Sequence, residues 1–259
     1  FIRMYMLLTV WCLAVTLWHV KVWQEGLQMT IGRSILLGVL VMLGFLTHYY
    51  FAVFMFFTAA YTCLYHWIVK KNLKNSVGYG VVVCWGMAAA VILYPSCLSH
   101  IFRGYRGTEA TDAFFDLSNT MLRFDFFTDL MNQSVFGGSF WILILLLLLL
   151  GVGVNFGLKK TERKERRYLF AESNQGIVHI GVVTLGYFLI VAKTALLNAE
   201  EANRYELPVY GFCMVLMIAG FYFLLQELAK NIVVRKISDK EQEKDAVIFN
   251  RKKKEDFLK

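Results

Sequence analysis

Apolar runs dominate the sequence, and each is about as long as the ~20 residues that a helix needs to cross a bilayer. The long runs occupy 4–23, 51–69, 77–94, 140–158, 176–196 and 207–228, and a shorter one occupies 34–46. Hydrophobic residues make up 58% of the 259-residue chain, a balance that would not keep a soluble domain in solution. We therefore predict an all-α integral membrane protein, multi-pass in the cell membrane, with about seven transmembrane helices.

A polar interruption divides the longest apolar stretch. Residues 34–69 are too many for one span, and Thr47-His48-Tyr49-Tyr50 lies within them. We predict a short helix before this tetrapeptide, a full-length helix after it, and a tight turn between the two.

The basic residues predict the orientation of the chain. Arg33, the connectors 70–76 and 159–174, and the tail all fall on one side of a seven-span arrangement. By the positive-inside rule that side is cytoplasmic. Residue 1, the 47–50 turn, the loop 95–139 and the turn 198–206 are then extracytoplasmic. The net charge of +8 is explained by topology first and by anionic membrane lipid second, and nucleic acid is not predicted as a partner.

Two parts of the chain follow from this topology. Residues 1–228 form the predicted polytopic membrane domain, and residues 229–259 form a charged cytoplasmic tail. Within the domain, the loop 95–139 interleaves aromatic residues with arginines and acids. Such a composition is typical of amphipathic segments in the headgroup layer, so we predict an interfacial loop with one or two short helices.

Several kinds of chemistry lack a sequence signature. Four of the five cysteines lie in apolar runs and Cys97 stands alone in the loop, so neither a disulfide framework nor a Cys-x-x-Cys metal site is available. Glycine-rich phosphate loops, zinc signatures and nucleophile elbows are also missing. The residues specify no metal site and no cofactor.

Four ionisable residues are predicted at the extracytoplasmic ends of the helices. Arg3, His48, Lys193 and Arg204 converge there if the topology is right. Such a group is typical of an anion site, because cations that face a helix bundle bind negatively charged ligands. The alternative is that the cations reach headgroup phosphates individually and that His48 caps a helix.

A second set of candidates lies in the loop. Arg103, Tyr105, Arg106 and Glu109 surround two glycines, Gly104 and Gly107, that permit close backbone approach and positive φ. This segment is either a grip for a phosphate or an acceptor, or only a turn. The acids Asp112 and Asp116, one helical turn apart, are predicted to form the wet face of a helix rather than a general base.

Four segments carry a family resemblance. FIRMYMLL, GFLTHYYFAVFMFF, HIFRGYRGTEA and ANRYELPVY follow one another in this order. Together they resemble the later membrane helices of bacterial glycosyltransferase family 39 proteins, relatives of the protein O-mannosyltransferases and the lipid A aminoarabinose transferases. The resemblance covers residues 1 to about 215. It implies a GT-C fold and transfer of a sugar from a polyprenyl-phosphate carrier to a lipid, glycan or protein acceptor on the extracytoplasmic face.

The resemblance also implies roles for residues. Arg3, His48 and Arg204 would line the lipid-phosphate side of a cavity, with Lys193 as a further candidate and the loop 95–139 as its cover. The catalytic acid of such enzymes lies in their first extracytoplasmic loop, which would precede residue 1. We therefore expect this chain to be the carboxy-terminal portion of such an enzyme, without the catalytic acid; a divalent metal is compatible with the reaction.

Two other classes of function stay open. A multi-span transporter or flippase of an anionic lipid or solute would line a pathway with the same cations, although transporters place binding groups near the bilayer midplane. A membrane scaffold would use the loop as a protein contact surface, but would not need three cations at one face.

Overall fold

The computed structural model describes residues 2–25, 27–102, 104–145, 175–195, 197, 202–226 and 229, and its regular elements there are all helices. The helices in these ranges are α1 (Ile2–Gln24), α2 (Ile31–Thr47), α3 (Tyr50–Leu64), α4 (Leu73–Leu93), α5 (Ser96–Phe102), α6 (Tyr105–Phe115), α7 (Thr120–Phe136), α8 (140–145), α9 (Gln175–Thr194) and α10 (Ala202–Gln226). A π-helical turn, Tyr65–Val69, extends α3. The prediction of an all-α chain is confirmed for these residues.

Five of the helical segments are long and apolar enough to cross a membrane. They are Met4–Trp23, Tyr50–Val69, Leu73–Leu93, Gln175–Thr194 and Ala202–Gln226. The predicted short helix is α2, which has 17 residues. The run 140–158 is described only to residue 145, and the connector 159–174 and residues 230–259 of the tail lie outside the described residues. The predicted total of seven spans and the domain boundary at 228 therefore stay predictions.

The chain divides into two compact units. The larger comprises Phe1–Phe140 and Arg167–Leu216, and the smaller comprises Trp141–Arg166 and Met217–Lys259. The described part of the smaller unit is helical and includes a bond from the Gln226 side-chain amide to the Tyr222 hydroxyl, 2.7 Å long. Both candidate sites described below lie within the larger unit.

The larger unit has two ends that differ in chemistry. At one end α3 and α9 are joined by the Tyr50 and Thr194 hydroxyls, 3.3 Å apart. At the other, the Tyr61 hydroxyl donates to Gln175 Oε1 over 2.6 Å. We name the first the loop end, because α5 to α7 follow α4 there, and the second the connector end, because the basic residues between α3 and α4 lie there.

The helix boundaries at the loop end agree with the predicted break. α2 ends at Thr47 and α3 begins at Tyr50, with His48 in extended conformation between them. At the connector end α4 begins earlier than predicted. The Asn72 side chain accepts a hydrogen bond from Asn75 N (3.1 Å), and this cap turns the second half of the predicted connector into the first turn of α4.

The loop 95–139 contains three helices, so the prediction of one or two short ones was too few. α7 alone has 17 residues and ends at Phe136. Gly137 follows as its C-cap, in the left-handed conformation with a φ of 56°. Gly104 and Gly107, the two glycines singled out in the sequence, do not need positive φ, since neither has it in the structure. Their role is close approach: a Cβ on Gly107 would lie 1.9 Å from the Ile101 carbonyl oxygen of α5.

Close contact between α2 and α4 depends on Gly86. A Cβ at this position would lie 2.8 Å from the Gly38 carbonyl oxygen and 2.9 Å from Val41 Cβ. Membrane helices rely on such small residues because van der Waals packing replaces the hydrophobic driving force between them. Gly86 thus fixes the distance between the two helices.

We expect Gly86→Ala to destabilise the protein by about 1–3 kcal/mol, because the added methyl group must push backbone atoms apart. The matched control is Gly80→Ala on the same helix, whose Cβ would lie 3.8 Å from Cys63 Sγ, an ordinary contact. Unfolding in detergent, followed by circular dichroism, measures both. Equal stability of the two variants would contradict the packing role of Gly86.

Candidate functional site

Side chains from four helix ends meet at the loop end. The Tyr5 ring lies 5.0 Å from the His48 ring and 5.4 Å from the Tyr205 ring, and Tyr50 lies 5.3 Å from both His48 and Tyr205. All four residues are buried. We name Tyr5, His48, Tyr50 and Tyr205 the ring cluster. The predicted convergence of the start of α1, the 47–50 turn and the start of α10 is present in the structure.

His48 holds the turn by capping α3. Its Nδ1 accepts a hydrogen bond from Tyr50 N (3.1 Å), and its own N–H donates to the Gly44 carbonyl (3.2 Å). Since Nδ1 is an acceptor, the ring proton resides on Nε2. Burial lowers the pKa of His48 to about 4, so the imidazole is neutral at pH 7. The capping alternative is therefore correct for Nδ1, and Nε2 is the nitrogen that can donate to a ligand.

A cavity of about 180 Å³ adjoins this turn. Its walls come from the start of α1, the end of α2 with the following turn, and α5: Met4, Phe45, Leu46, Thr47, His48, Tyr49, Tyr94, Cys97, His100 and Ile101. His48 and His100 thus line one cavity although 52 positions separate them in the printed sequence. The first helix of the loop 95–139 forms part of the wall beside the 47–50 turn.

Lys193 tethers the loop to α9. Its ammonium group, which is buried, donates to the Asp116 carbonyl and to Thr120 Oγ1, the latter over 2.6 Å. Arg123 adds a second tether, with Nη1 donating to the Ala195 carbonyl over 2.8 Å. Both tethers join the segment from Asp116 to α7 with the end of α9. The phosphate role of Lys193 stays a prediction; in the structure its ammonium group holds the loop in place.

Asp116 closes the turn between α6 and α7. Its carboxylate accepts from the Ser118 hydroxyl (2.6 Å), the Ser118 N–H (2.9 Å) and the Asn119 amide (3.0 Å). These hydrogen bonds, chiefly those from Ser118, hold the pKa of Asp116 below its usual value. Asp112 is exposed on α6, as predicted for a wet face. Asp116, in contrast, lies beyond the last residue of the helix and organises the turn.

Glu206 is the residue that sequence reasoning missed. It was assigned to a polar turn, but α10 begins at Ala202 and the side chain is fully buried, without exposed area. Neither carboxyl oxygen has a hydrogen-bond partner in the described part of the chain. The available signal was the spacing of Ala202, Tyr205, Glu206, Val209 and Phe212, which places all five on one helix face. An unpaired carboxyl group is costly to bury, so this position is a candidate functional residue.

The other predicted residues divide into described and undescribed ones. Arg204 lies in the first turn of α10, half-buried beside Tyr205, and Glu109 lies in α6, also half-buried. Arg103 lies outside the described residues, as do the side chains of Arg3, Tyr105 and Arg106. The described residues include no group of three or more His, Cys, Asp or Glu placed to hold a metal ion.

In its described part the chain is a helical protein with five helices long and apolar enough to span a membrane, and with a buried cluster of Tyr and His rings at one end of the larger unit. Comparison of the chain with protein-family models, curated proteins and solved structures finds no match. The site must therefore be interpreted from its own chemistry.

We expect the stability of the protein to fall between pH 6.5 and pH 4 in part because of His48. The unfolded chain takes up a proton near pH 6.5 that the folded His48 accepts only near its pKa of about 4. The unfolding free energy then decreases as the pH falls, by about 2 kcal/mol from this residue at pH 5. His48→Asn keeps a capping oxygen and removes the titration.

Thermal unfolding at pH 7 and pH 5 measures the difference. The histidine protein should lose more stability on acidification than His48→Asn does. An equal loss in both proteins would show that His48 is not the group that titrates, since the other buried histidines are common to both.

Proposed function

We propose that the chain is the carboxy-terminal membrane portion of a GT-C-type glycosyltransferase that transfers a sugar from a polyprenyl-phosphate carrier on the extracytoplasmic face. One observation supports this proposal above the others. Segments that carry the family resemblance, and that are distant in sequence, supply Tyr5, His48 and Tyr205 to the ring cluster. A further segment supplies His100 and Ile101 to the adjoining cavity.

The proposed chemistry is an inverting displacement. An acceptor oxygen attacks the anomeric carbon of the sugar, and the bond from that carbon to the carrier phosphate oxygen breaks, leaving its electron pair on the phosphate. The acceptor proton passes to a base, the role that the resemblance gives to the catalytic acid of the first extracytoplasmic loop in such enzymes. In this chain the task is to bind the carrier phosphate as its charge develops, the electrostatic contribution that dominates many active sites.

Three residues suit that task. The His48 imidazole, neutral at pH 7 because burial lowers its pKa, donates from Nε2 without adding charge. Arg204, in the first turn of α10 next to the ring cluster, supplies a guanidinium whose forked donors match phosphate oxygens. Arg3 has the same chemistry at the start of α1. Lys193 contributes indirectly, since its tether keeps the loop over this end.

Binding of a short-chain polyprenyl monophosphate tests the phosphate site without requiring the complete reaction. We expect Arg204→Gln to weaken binding about tenfold or more, as is typical for loss of a charged hydrogen bond. Lys74→Gln, which removes an equal charge from an exposed position at the connector end, should leave the affinity unchanged. The corresponding alcohol, which lacks the phosphate, should bind both proteins equally.

The outcomes separate the proposal from non-specific attraction. Equal weakening by Arg204→Gln and Lys74→Gln would refute a defined phosphate site. Sugar transfer by the full-length protein is the second measurement, and a wild-type rate for Arg204→Gln would remove this residue from the reaction.

A transport function is the second candidate, and Glu206 favours it. Ionisable groups buried within membrane segments are typical of proton or ion pathways, and the Glu206 carboxyl has no partner among the described residues. A transporter or flippase would translocate a fluorescent polyprenyl phosphate across proteoliposomes, making it accessible to an impermeant quencher. Translocation that is lost in Glu206→Gln would favour this alternative, whereas binding without translocation favours the transferase.

A further inference from the structure

A groove runs between α1 and α2 in the connector half of the larger unit. Its volume is about 470 Å³. The lining residues are Ala14, Leu17, Trp18, Lys21, Val22, Arg33, Leu36 and Leu40. It lies at the opposite end from the ring cluster and shares no lining residue with the cavity beside His48.

The lining changes from charged to apolar along the groove. Lys21 lies in the last turn of α1 and Arg33 in the first turn of α2, so both cations stand at the connector mouth. Deeper in, the walls are aliphatic, and Leu17 (69% exposed) and Leu36 (51% exposed) leave large apolar surfaces uncovered. A ligand that fits this gradient is anionic at one end and a hydrocarbon at the other.

Local contacts fix the position of Arg33. Its Nη1 donates to the Gln28 carbonyl over 3.0 Å, and its guanidinium pairs with Glu25. The Arg33 side chain keeps 26% of its area exposed, so it can still meet a ligand. With Lys21 exposed beside it, the mouth carries two positive charges against the one negative charge of Glu25.

Trp18 places an indole in the wall of the groove. Its side chain is 6% exposed, and its Nε1–H is buried without an acceptor in the described part of the chain. Because this nitrogen has no exposed area, a ligand in the groove meets the ring and not the N–H. An indole in such a position is typical of the headgroup level of a membrane.

We propose that this groove binds one anionic phospholipid, with the phosphate at Lys21 and Arg33 and an acyl chain along Leu17, Leu36 and Leu40. Basic pockets between membrane helices are established binding places for anionic headgroups. A free phosphate would not fill the apolar part of the groove. An apolar helix would bring no oxygen to the two cations. The site is independent of the proposed transferase function.

The test uses the full chain in nanodiscs, with phosphatidylglycerol at low abundance in phosphatidylcholine and native mass spectrometry to count retained anionic lipid. We expect Lys21→Gln and Arg33→Gln each to reduce phosphatidylglycerol affinity about fivefold, and the double variant more than either. Lys74→Gln, an equal charge loss at an exposed site of the same end, should have little effect. Glu25→Gln should strengthen binding, because it releases Arg33 from its acidic partner.

Further variants separate charge from packing. Arg33→Lys keeps the charge and should retain most of the affinity, which excludes misfolding as the cause of any loss in Arg33→Gln. Ala14→Phe fills the apolar part of the groove and should reduce retention of the two-chain lipid.

Three results would overturn the proposal. The first is an equal loss in Lys74→Gln and Lys21→Gln, which would indicate diffuse surface attraction. The second is weaker retention in Glu25→Gln. The third is displacement of the lipid by millimolar inorganic phosphate, which would indicate a site for the free anion. None of these results bears on polyprenyl phosphate binding at the ring cluster, which lies at the other end.

Discussion

The absence of water from the bilayer core is the constraint on which this structure depends. Every backbone polar group must find a partner within its own segment, so the chain crosses as helices and confines its irregular backbone to the two ends. Several polar side chains follow the same rule. His48 and Lys193 bond to backbone or hydroxyl groups at the loop end, and Arg33 does so at the connector end. The buried Glu206 carboxyl group, which has no hydrogen-bond partner among the described residues, is an exception.

The sequence predicted the places where this constraint acts most simply. The apolar runs of bilayer length that the structure describes in full, or all but their last residues, are helices. The break at His48 was recognised because a tetrapeptide of polar and aromatic residues cannot continue an apolar span. The convergence of the start of α1, the 47–50 turn and the start of α10 followed from counting spans, since alternate helix ends must share one membrane surface. That Tyr5 and Tyr205 are the residues that meet His48 was not predicted.

Other features could not be predicted, because helices that are apolar on all sides do not reveal which face is buried. Glu206 appeared to belong to a turn. The spacing of its neighbours indicates a helix face, but only the packing of that helix against others shows that the Glu206 side chain is buried. Gly107 was recognised as conformationally permissive, but its contact with the Ile101 carbonyl depends on how α5 and α6 meet. The groove between α1 and α2 likewise depends on the distance between two helices, which no local pattern encodes.

The tethers that hold the loop have a consequence for how such a protein diversifies. Lys193 donates to the main-chain carbonyl of Asp116, and Arg123 donates to the main-chain carbonyl of Ala195. A carbonyl is present whatever side chain the residue carries. The exposed positions 112, 125 and 129 can therefore change during evolution while the segment keeps its place, so its outer surface is free to adapt to new molecules on a fixed frame.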